Sequence, residues 1–440
     1  MNAPIPKDFL WGAATASYQI EGHPLADGAC PSNWHRFAHR RGRIRDGTNG
    51  DVACDHYHRW PEDIRHMKEL GLGAYRFSVA WPRVVPEPGR VNPKGLEFYD
   101  RLADALLEAG ITPFATLFHW DLPAWLEDLG GFTRREAVEH LDFYGRAVFE
   151  ALGDRVRNWL TLNEPVSHAI YGYIFGLYAP GKRLQFRSAF AASHYQLLGH
   201  ARLVKTFRGS GMGGRIGIAN HQLWPTPLRA EDPRDVQTAR LLDAVVNRFY
   251  LDPLYFGRYP EEAVRGFGRF LPRGWERDLA EMREPGDFLG INYYNRATYR
   301  HAPLVPLLHG REVPTPGARR SAMWDIDPHG LQVILARVRE EYGNPPVYIT
   351  ENGYPLPERP GADPLDDQER IDYLQAHIEQ TLQARAAGSD VRGFFAWSLL
   401  DNFEWHLGNS MRYGLIRVDF ATQARVWRKS AHWYRDLIRR

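Results

Sequence analysis

The sequence predicts an α/β fold, a single (β/α)8 TIM barrel with extended βα loops. The prediction rests on short apolar, β-branched runs that alternate along the chain with longer stretches whose apolar residues recur every three or four positions. That is the pattern of parallel strands covered by helices. Eight such runs can be counted. Two of them lead into a glutamate, and a polar residue at the carboxyl end of a barrel strand sits where such folds carry out chemistry.

Taken in order, the expected strands are residues 10–18, 74–81, 112–120, 159–164, 215–220, 288–294, 347–350 and 393–399. Helical periodicity is clearest over 61–70, 95–109, 134–151, 189–207 and 368–387. A bare barrel takes about 250 residues, so much of the 440-residue chain must lie in loops. Segments 301–320 and 355–364, rich in Pro and Gly, follow the sixth and seventh strands and should rim the mouth. No linker divides the chain, so residues 1–440 are expected to form one domain.

Composition narrows the function classes. A formal net charge of +2, with basic and acidic residues intermixed, does not suggest a nucleic-acid surface. The start lacks the charged and apolar segments of a signal peptide, and no apolar run is long enough to span a bilayer. A cytoplasmic enzyme with no membrane partner is expected. Cys30 and Cys54 are too few for a disulfide framework; each reads as a buried thiol, with a bridge between them left open.

Some motifs mislead. Gly209 to Gly214 spells a dinucleotide fingerprint, but it follows a helix and precedes a strand, the reverse of the order a pyrophosphate site needs. Gly176 to Arg183 nearly spells a P-loop, with Arg183 where a magnesium-binding hydroxyl belongs. Asp55-His56-Tyr57-His58, with Asp51 close by, offers metal-ligand types but reads as hydrogen-bonded structure.

The stretches that carry chemistry are Val347-Tyr348-Ile349-Thr350-Glu351-Asn352-Gly353 and Trp159-Leu160-Thr161-Leu162-Asn163-Glu164-Pro165. Each is an apolar strand that ends on a carboxylate. Two carboxyl groups at one barrel mouth are what glycoside hydrolysis requires. Thr161-Leu162-Asn163-Glu164-Pro165 and Ile349-Thr350-Glu351-Asn352-Gly353 resemble the acid/base and nucleophile motifs of the retaining β-glycosidases of glycoside hydrolase family 1. The resemblance runs from Phe9-Leu10-Trp11-Gly12 to Trp427-Arg428-Lys429-Ser430.

It implies Glu351 as nucleophile and Glu164 as acid/base, with carboxyl groups about 5–5.5 Å apart. Glu351 should then be charged at rest and Glu164 protonated. Arg76 is a charge inside an apolar strand and needs an anion. Glu351 is its natural partner, with a structural acid as the alternative. Tyr294 can donate to the same carboxylate or simply pack in the core. Asn163 resembles the ligand of the sugar 2-hydroxyl, with a turn role as the alternative.

The resemblance also assigns Gln19, His119, Trp120, Asn292, Trp397, Glu404 and Trp405 to the sugar pocket, where hydroxyls need paired donors and acceptors and the ring needs an aromatic face. Family members that act on 6-phosphoglycosides replace the Glu404 position with a small hydroxyl residue and carry a Lys shortly after. Here Glu404 would repel a phosphate and Met411 stands in place of that Lys. A myrosinase-like branch carries Gln in place of the acid/base, against Glu164 here. Val166 departs from the large aromatic that many members have at the aglycone side, leaving Trp324 as the expected platform there.

The resulting expectation is an exo-acting β-glucosidase with some β-galactosidase or β-fucosidase activity. Its substrates would be small β-glucosides and cello-oligosaccharides, and it would use no metal or other cofactor. The rivals are a transglycosylase, a 6-phospho-β-glycosidase and a non-catalytic sugar-binding barrel. Association into a homo-oligomer is left open.

Overall fold

The computed structural model describes residues 8–440 apart from Pro360. Eight parallel strands, β1 (Leu10–Ala14), β2 (Ala74–Ser78), β3 (Thr112–Phe118), β4 (Asn158–Asn163), β5 (Arg215–His221), β6 (Phe288–Asn292), β7 (Val347–Asn352) and β8 (Val391–Trp397), pair in chain order. β8 closes on β1 with Leu10 opposite Gly393 and Ala14 opposite Trp397. The connections that follow the strands carry, in turn, α1 (His56–Leu70), α2 (Pro93–Glu108), α3 (Glu136–Leu152), α4 (Phe186–Gly209), α5 (Pro233–Val246), α6 (Pro328–Glu341), α7 (Gln368–Ala386) and α8 (Lys429–Ile438). In α3, Val138, Leu141, Val148 and Leu152 fall on one face and are buried against the sheet side.

The barrel interior is packed rather than hollow. Phe114 of β3 meets Phe395 of β8 with ring centroids 5.0 Å apart, and these strands are not neighbours in the sheet, so the contact crosses the interior. Tyr348 adds contacts to Phe114 at 5.2 Å and to Phe288 at 5.3 Å. Room for this aromatic layer comes from small residues: a Cβ on Gly12 would lie 2.5 Å from the ring of Phe395.

Several expected strands run too far at their carboxyl ends. Residues 10–18 form a strand only to Ala14 and then the helical turn Ser17–Ile20; 74–81 end at Ser78, and Trp81–Val84 is helical. The runs 112–120, 288–294 and 393–399 stop at Phe118, Asn292 and Trp397. The apolar signal continues in each case because the residues beyond the sheet are still buried: Trp120 has left the ladder with φ +77 yet is 5% exposed. β7 differs in the other sense and extends through Glu351 to Asn352.

Segment 301–320 is more than a loop. It holds the strand Gly310–Val313, which pairs with Arg296–His301, which in turn pairs with Trp224–Pro227 in a separate sheet. Cys30 and Cys54 are both free, and Cys54 donates its thiol to the Asp401 carbonyl at 2.8 Å. Among the described residues no helix is long and apolar enough to cross a membrane.

Candidate active site

Strand alternation alone would aim successive residues to opposite faces, yet Asn163 and Glu164 both reach the barrel mouth, as do Thr350 and Glu351. Two backbone irregularities account for this. The register between β4 and β5 shifts between Leu160 and Asn163, and Glu164 then takes a left-handed conformation, φ +42. The register of β7 against β6 shifts between Ile349 and Glu351, a bulge that re-aims the carboxylate. Gly353 lets the end of β7 pass beside β8, since a Cβ there would lie 1.8 Å from the Trp397 carbonyl oxygen.

Glu351 and Glu164 are held by one hydrogen-bonded frame. Arg76, 1% exposed, donates Nη1 to Glu351 Oε1 at 2.6 Å and Nη2 to Asn163 Oδ1 at 2.6 Å. Tyr294 donates its hydroxyl to Glu351 Oε2 at 2.8 Å. Asn292 Nδ2 bridges Asn163 Oδ1 at 3.0 Å and Glu164 Oε1 at 2.8 Å, and its own oxygen is fixed by the Thr350 hydroxyl at 2.6 Å. Ser167 donates to Glu164 Oε2 at 2.6 Å.

The two carboxyls are tuned differently. Burial pushes Glu351 up to about 7, opposed first by the positive charge of Arg76. Glu164 is also raised, chiefly by burial, and it is opposed mainly by hydrogen bonds from the neutral Ser167 and Asn292. The contact with Arg76 favours the charge on Glu351. His221, with Nδ1 3.8 Å from Glu164 Oε1, is pushed down to about 4 by burial and so stays neutral at pH 7.

A second group of polar side chains stands beside the first. Asn163 Nδ2 donates to His119 Nε2 at 3.0 Å, which puts the ring proton on Nδ1. Trp120 Nε1 donates to the Asn163 carbonyl at 2.8 Å. Gln19 Nε2 donates to Asn402 Oδ1 at 3.1 Å and to Glu404 Oε2 at 3.3 Å. Trp397 also donates to Glu404, whose carboxyl burial pushes up to about 8. Gln19 Oε1 and His119 Nδ1 are buried with no hydrogen-bond partner among the described residues.

The sequence profile of glycosyl hydrolase family 1 matches residues 1–440. The chain belongs to glycosyl hydrolase family 1. It is 46% identical to beta-glucosidase A of Thermotoga maritima over 99% of this chain and 98% of the relative. It is 45% identical to a 1,4-beta-D-glucan glucohydrolase of Thermotoga neapolitana, again over 99% and 98%. The solved family 1 glucosidase from Thermotoga maritima superposes with a TM-score of 0.94 at 46% identity, covering 100% of this chain and 99% of that one. The same enzyme solved with isofagomine lactam gives 0.95 at 46% identity, with 99% and 98% coverage.

Within this family 1 barrel, the residues assigned to the sugar pocket gather around the two carboxyls and Glu404. Trp405 packs against Trp120 at a tilt, with centroids 4.7 Å apart, and His119 lies 5.9 Å from Trp397. Trp324 is half-buried, with its ring 5.3 Å from that of Tyr294, the donor to Glu351. Met411 is buried, and its neighbour Arg412 is turned away toward Glu358 and Asp401. Sequence reasoning missed Ser167, His221, Thr350 and Thr116, whose hydroxyl accepts from Arg76 Nε at 3.2 Å. Ser167 could have been found, because it lies one helical turn after Glu164. His221 could not, since nothing local marks which loop it would face.

The metal-like run resolves otherwise than its spacing suggests. His56 pairs with buried Asp63 at 2.7 Å, while Asp51 turns to His35 and His39. Lys182 of the P-loop lookalike lies over the Tyr173 ring and 3.8 Å from Glu127.

Proposed function

We propose that the chain is a retaining, exo-acting β-glucosidase. Glu351 serves as nucleophile and Glu164 as acid/base, and residues 1–440 work as one catalytic domain. One observation carries the reading: a single frame of Asn163 and Asn292 ties the two carboxyls together, while only Glu351 is in hydrogen-bond contact with a guanidinium.

In the first step a Glu351 oxygen attacks the anomeric carbon as the bond to the leaving oxygen breaks, and that oxygen takes the proton of Glu164. The product is an ester of Glu351, which carries no charge. Glu164, now a carboxylate without a charged neighbour opposite, has a raised proton affinity and takes a proton from water as the water attacks the same carbon and the ester bond to Glu351 breaks, freeing its carboxylate. Free sugar leaves, and both carboxyls return to their starting forms. Asn163 and Asn292 are set to meet the sugar 2-hydroxyl.

Gln19 Oε1 as acceptor and His119 Nδ1–H as donor suit vicinal hydroxyls of an unphosphorylated sugar. Glu404, beside Gln19, is placed to hydrogen-bond the outer hydroxyls, and neither it nor the buried Met411 offers a cation to a phosphate. Trp397 and Trp405 offer aromatic faces. The naming of relatives as glucosidases, and the solution of one with isofagomine lactam, support glucosyl recognition. Small β-glucosides and cello-oligosaccharides are the proposed substrates, with β-galactosides and β-fucosides as secondary ones.

The test compares initial rates of nitrophenol release from the aryl β-glucoside, β-galactoside and 6-phospho-β-glucoside by purified protein. The glucoside should be fastest, and NMR should show the β-anomer as first product. Release only from the phosphorylated substrate would overturn the reading of Glu404, and silence on all three would leave a sugar-binding barrel.

A further inference from the structure

The connection between β1 and α1 holds a group of side chains that the proposed reaction does not use. His35 and His39 lie one helical turn apart, within and at the end of the short helix Asn33–Ala38, and Asp51 reaches them from the following loop. His39 Nε2 is 3.0 Å from Asp51 Oδ2, and His35 Nε2 is 3.6 Å from Asp51 Oδ1. The ligand atoms of the three residues all lie within 4.8 Å of one another.

The hydrogen bonding of His39 decides what this group can hold. Its Nδ1 lies 2.7 Å from the carbonyl oxygen of His35, and a carbonyl only accepts, so Nδ1 carries a proton. In the neutral ring Nε2 then presents a lone pair, and it faces a carboxylate oxygen that also has only lone pairs. Asn49 Nδ2 comes only within 3.5 Å of that nitrogen, whereas a second ring proton or a metal ion between His39 and Asp51 relieves the two facing acceptors. The backbone contact at Nδ1 is the arrangement that fixes the tautomer of metal-bound histidines. Asp51 Oδ1 is buried with no hydrogen-bond partner among the described residues. Donors at about 2.0–2.2 Å from a tetrahedral zinc ion stand about 3.3–3.5 Å apart. The separations of 3.0 and 3.6 Å straddle that spacing.

The neighbouring group of His23, Asp55 and His58 shows the contrast. Both histidines there address one oxygen, Asp55 Oδ1, at 3.1 and 2.7 Å. Each can do so as a neutral ring donating its proton, and no pair of acceptors faces each other.

We propose that His35 Nε2, His39 Nε2 and the Asp51 carboxylate bind a divalent transition-metal ion of the zinc type, which suits imidazole and carboxylate ligands. Its role is structural. Trp34, next to His35, packs on Trp405 with centroids 4.4 Å apart. The loop between His39 and Asp51 holds the other side of that segment, through Arg45 N to the His406 carbonyl at 2.8 Å and Asn409 N to the Thr48 hydroxyl at 3.2 Å. An ion there clamps the loop against the wall of the sugar pocket and stabilises the folded state by mass action.

The test uses tag-free, full-length protein treated with EDTA, dialysed and titrated calorimetrically with zinc chloride at pH 7.5. One ion per chain should bind and raise the Tm. His39→Ala and Asp51→Asn should each weaken binding by at least about tenfold and remove the Tm shift, whereas His58→Ala should leave both intact. His39→Gln replaces the alanine variant if the latter does not fold, and cobalt titration of the parent should give the absorption bands of a tetrahedral site. Absence of binding and of cobalt bands in the parent, binding that survives both ligand substitutions, or binding lost in His58→Ala would each overturn the proposal. In the first case His39 and Asp51 form a plain ion pair.

Discussion

Glu351 at the end of β7 and Glu164 just past the end of β4 are both buried, yet only one of them is in hydrogen-bond contact with a cation. Glu351 accepts from Arg76 and Tyr294, so one of its donors brings a full positive charge. Glu164 accepts from Ser167 and Asn292, both neutral, and faces a histidine that burial keeps uncharged. Burial raises both, and the difference between them lies in what their neighbours give back. On the proposed assignment of roles, the division of labour between the two carboxyls is made by β2, which supplies Arg76, and by the first helical turn after β4, which supplies Ser167.

The sharpest way to separate the two ends is to remove each carboxyl. Glu351→Ala should abolish turnover of every glycoside, because no ester can form. Glu164→Gln should cost about 10²–10⁴-fold on poor leaving groups and much less on dinitrophenyl glycosides, which depart without a proton. Equal losses on both substrate types in steady-state assays would contradict the acid role.

Arg76→Met attacks the asymmetry directly. Arg76 favours the charged form of Glu351, so without it the carboxyl holds its proton to higher pH. The acid limb of the kcat/KM profile, below which the nucleophile is protonated, should move up by about 1–3 units. An unmoved limb would mean that Arg76 only packs.

On the β4 side, Ser167→Ala should have a smaller effect on the other limb. Ser167 donates to the Glu164 carboxylate and favours its charged form, so its loss raises the proton affinity of the acid. The alkaline limb should shift up by about one unit, since a hydrogen bond to a charged group is worth about 1.5 kcal/mol. Ser167→Thr should restore the parent profile.

The smallest change concerns the leaving-group side. Val166→Trp would add an aromatic side chain two residues after Glu164 and should change relative rates across a set of aglycones by a few-fold, about 1 kcal/mol at most. Unchanged ratios would show that Val166 does not line that site.

Much of this arrangement was legible before the fold was seen. A charge in an apolar strand, as at Arg76, must find an anion, and a glutamate that ends a β-branched run has no structural reason to be there. Those are local anomalies, and local anomalies are readable. The apolar pattern overruns the strand ends because Trp81 and Trp120 remain buried after leaving the sheet, and such a pattern reports burial rather than hydrogen bonding. The run at Asp55–His58 is hydrogen-bonded structure, as its sequence suggests, with His58 on Asp55, but closeness in sequence does not reveal that Asp51 and His56 find their partners elsewhere.

The sequence by itself determined the barrel, the two carboxylates and the polar and aromatic set around them, because periodicity and misplaced charge are properties of short stretches. Only the tertiary structure decided that Asn163 and Asn292 form one frame between the carboxyls, that Ser167 and His221 face Glu164, and that Asp51 belongs with His35 and His39. Each of these is a contact between groups whose positions depend on barrel closure, a register shift or a left-handed turn. A side chain carries its chemistry in its name, but its partner is chosen by the path of the backbone between them.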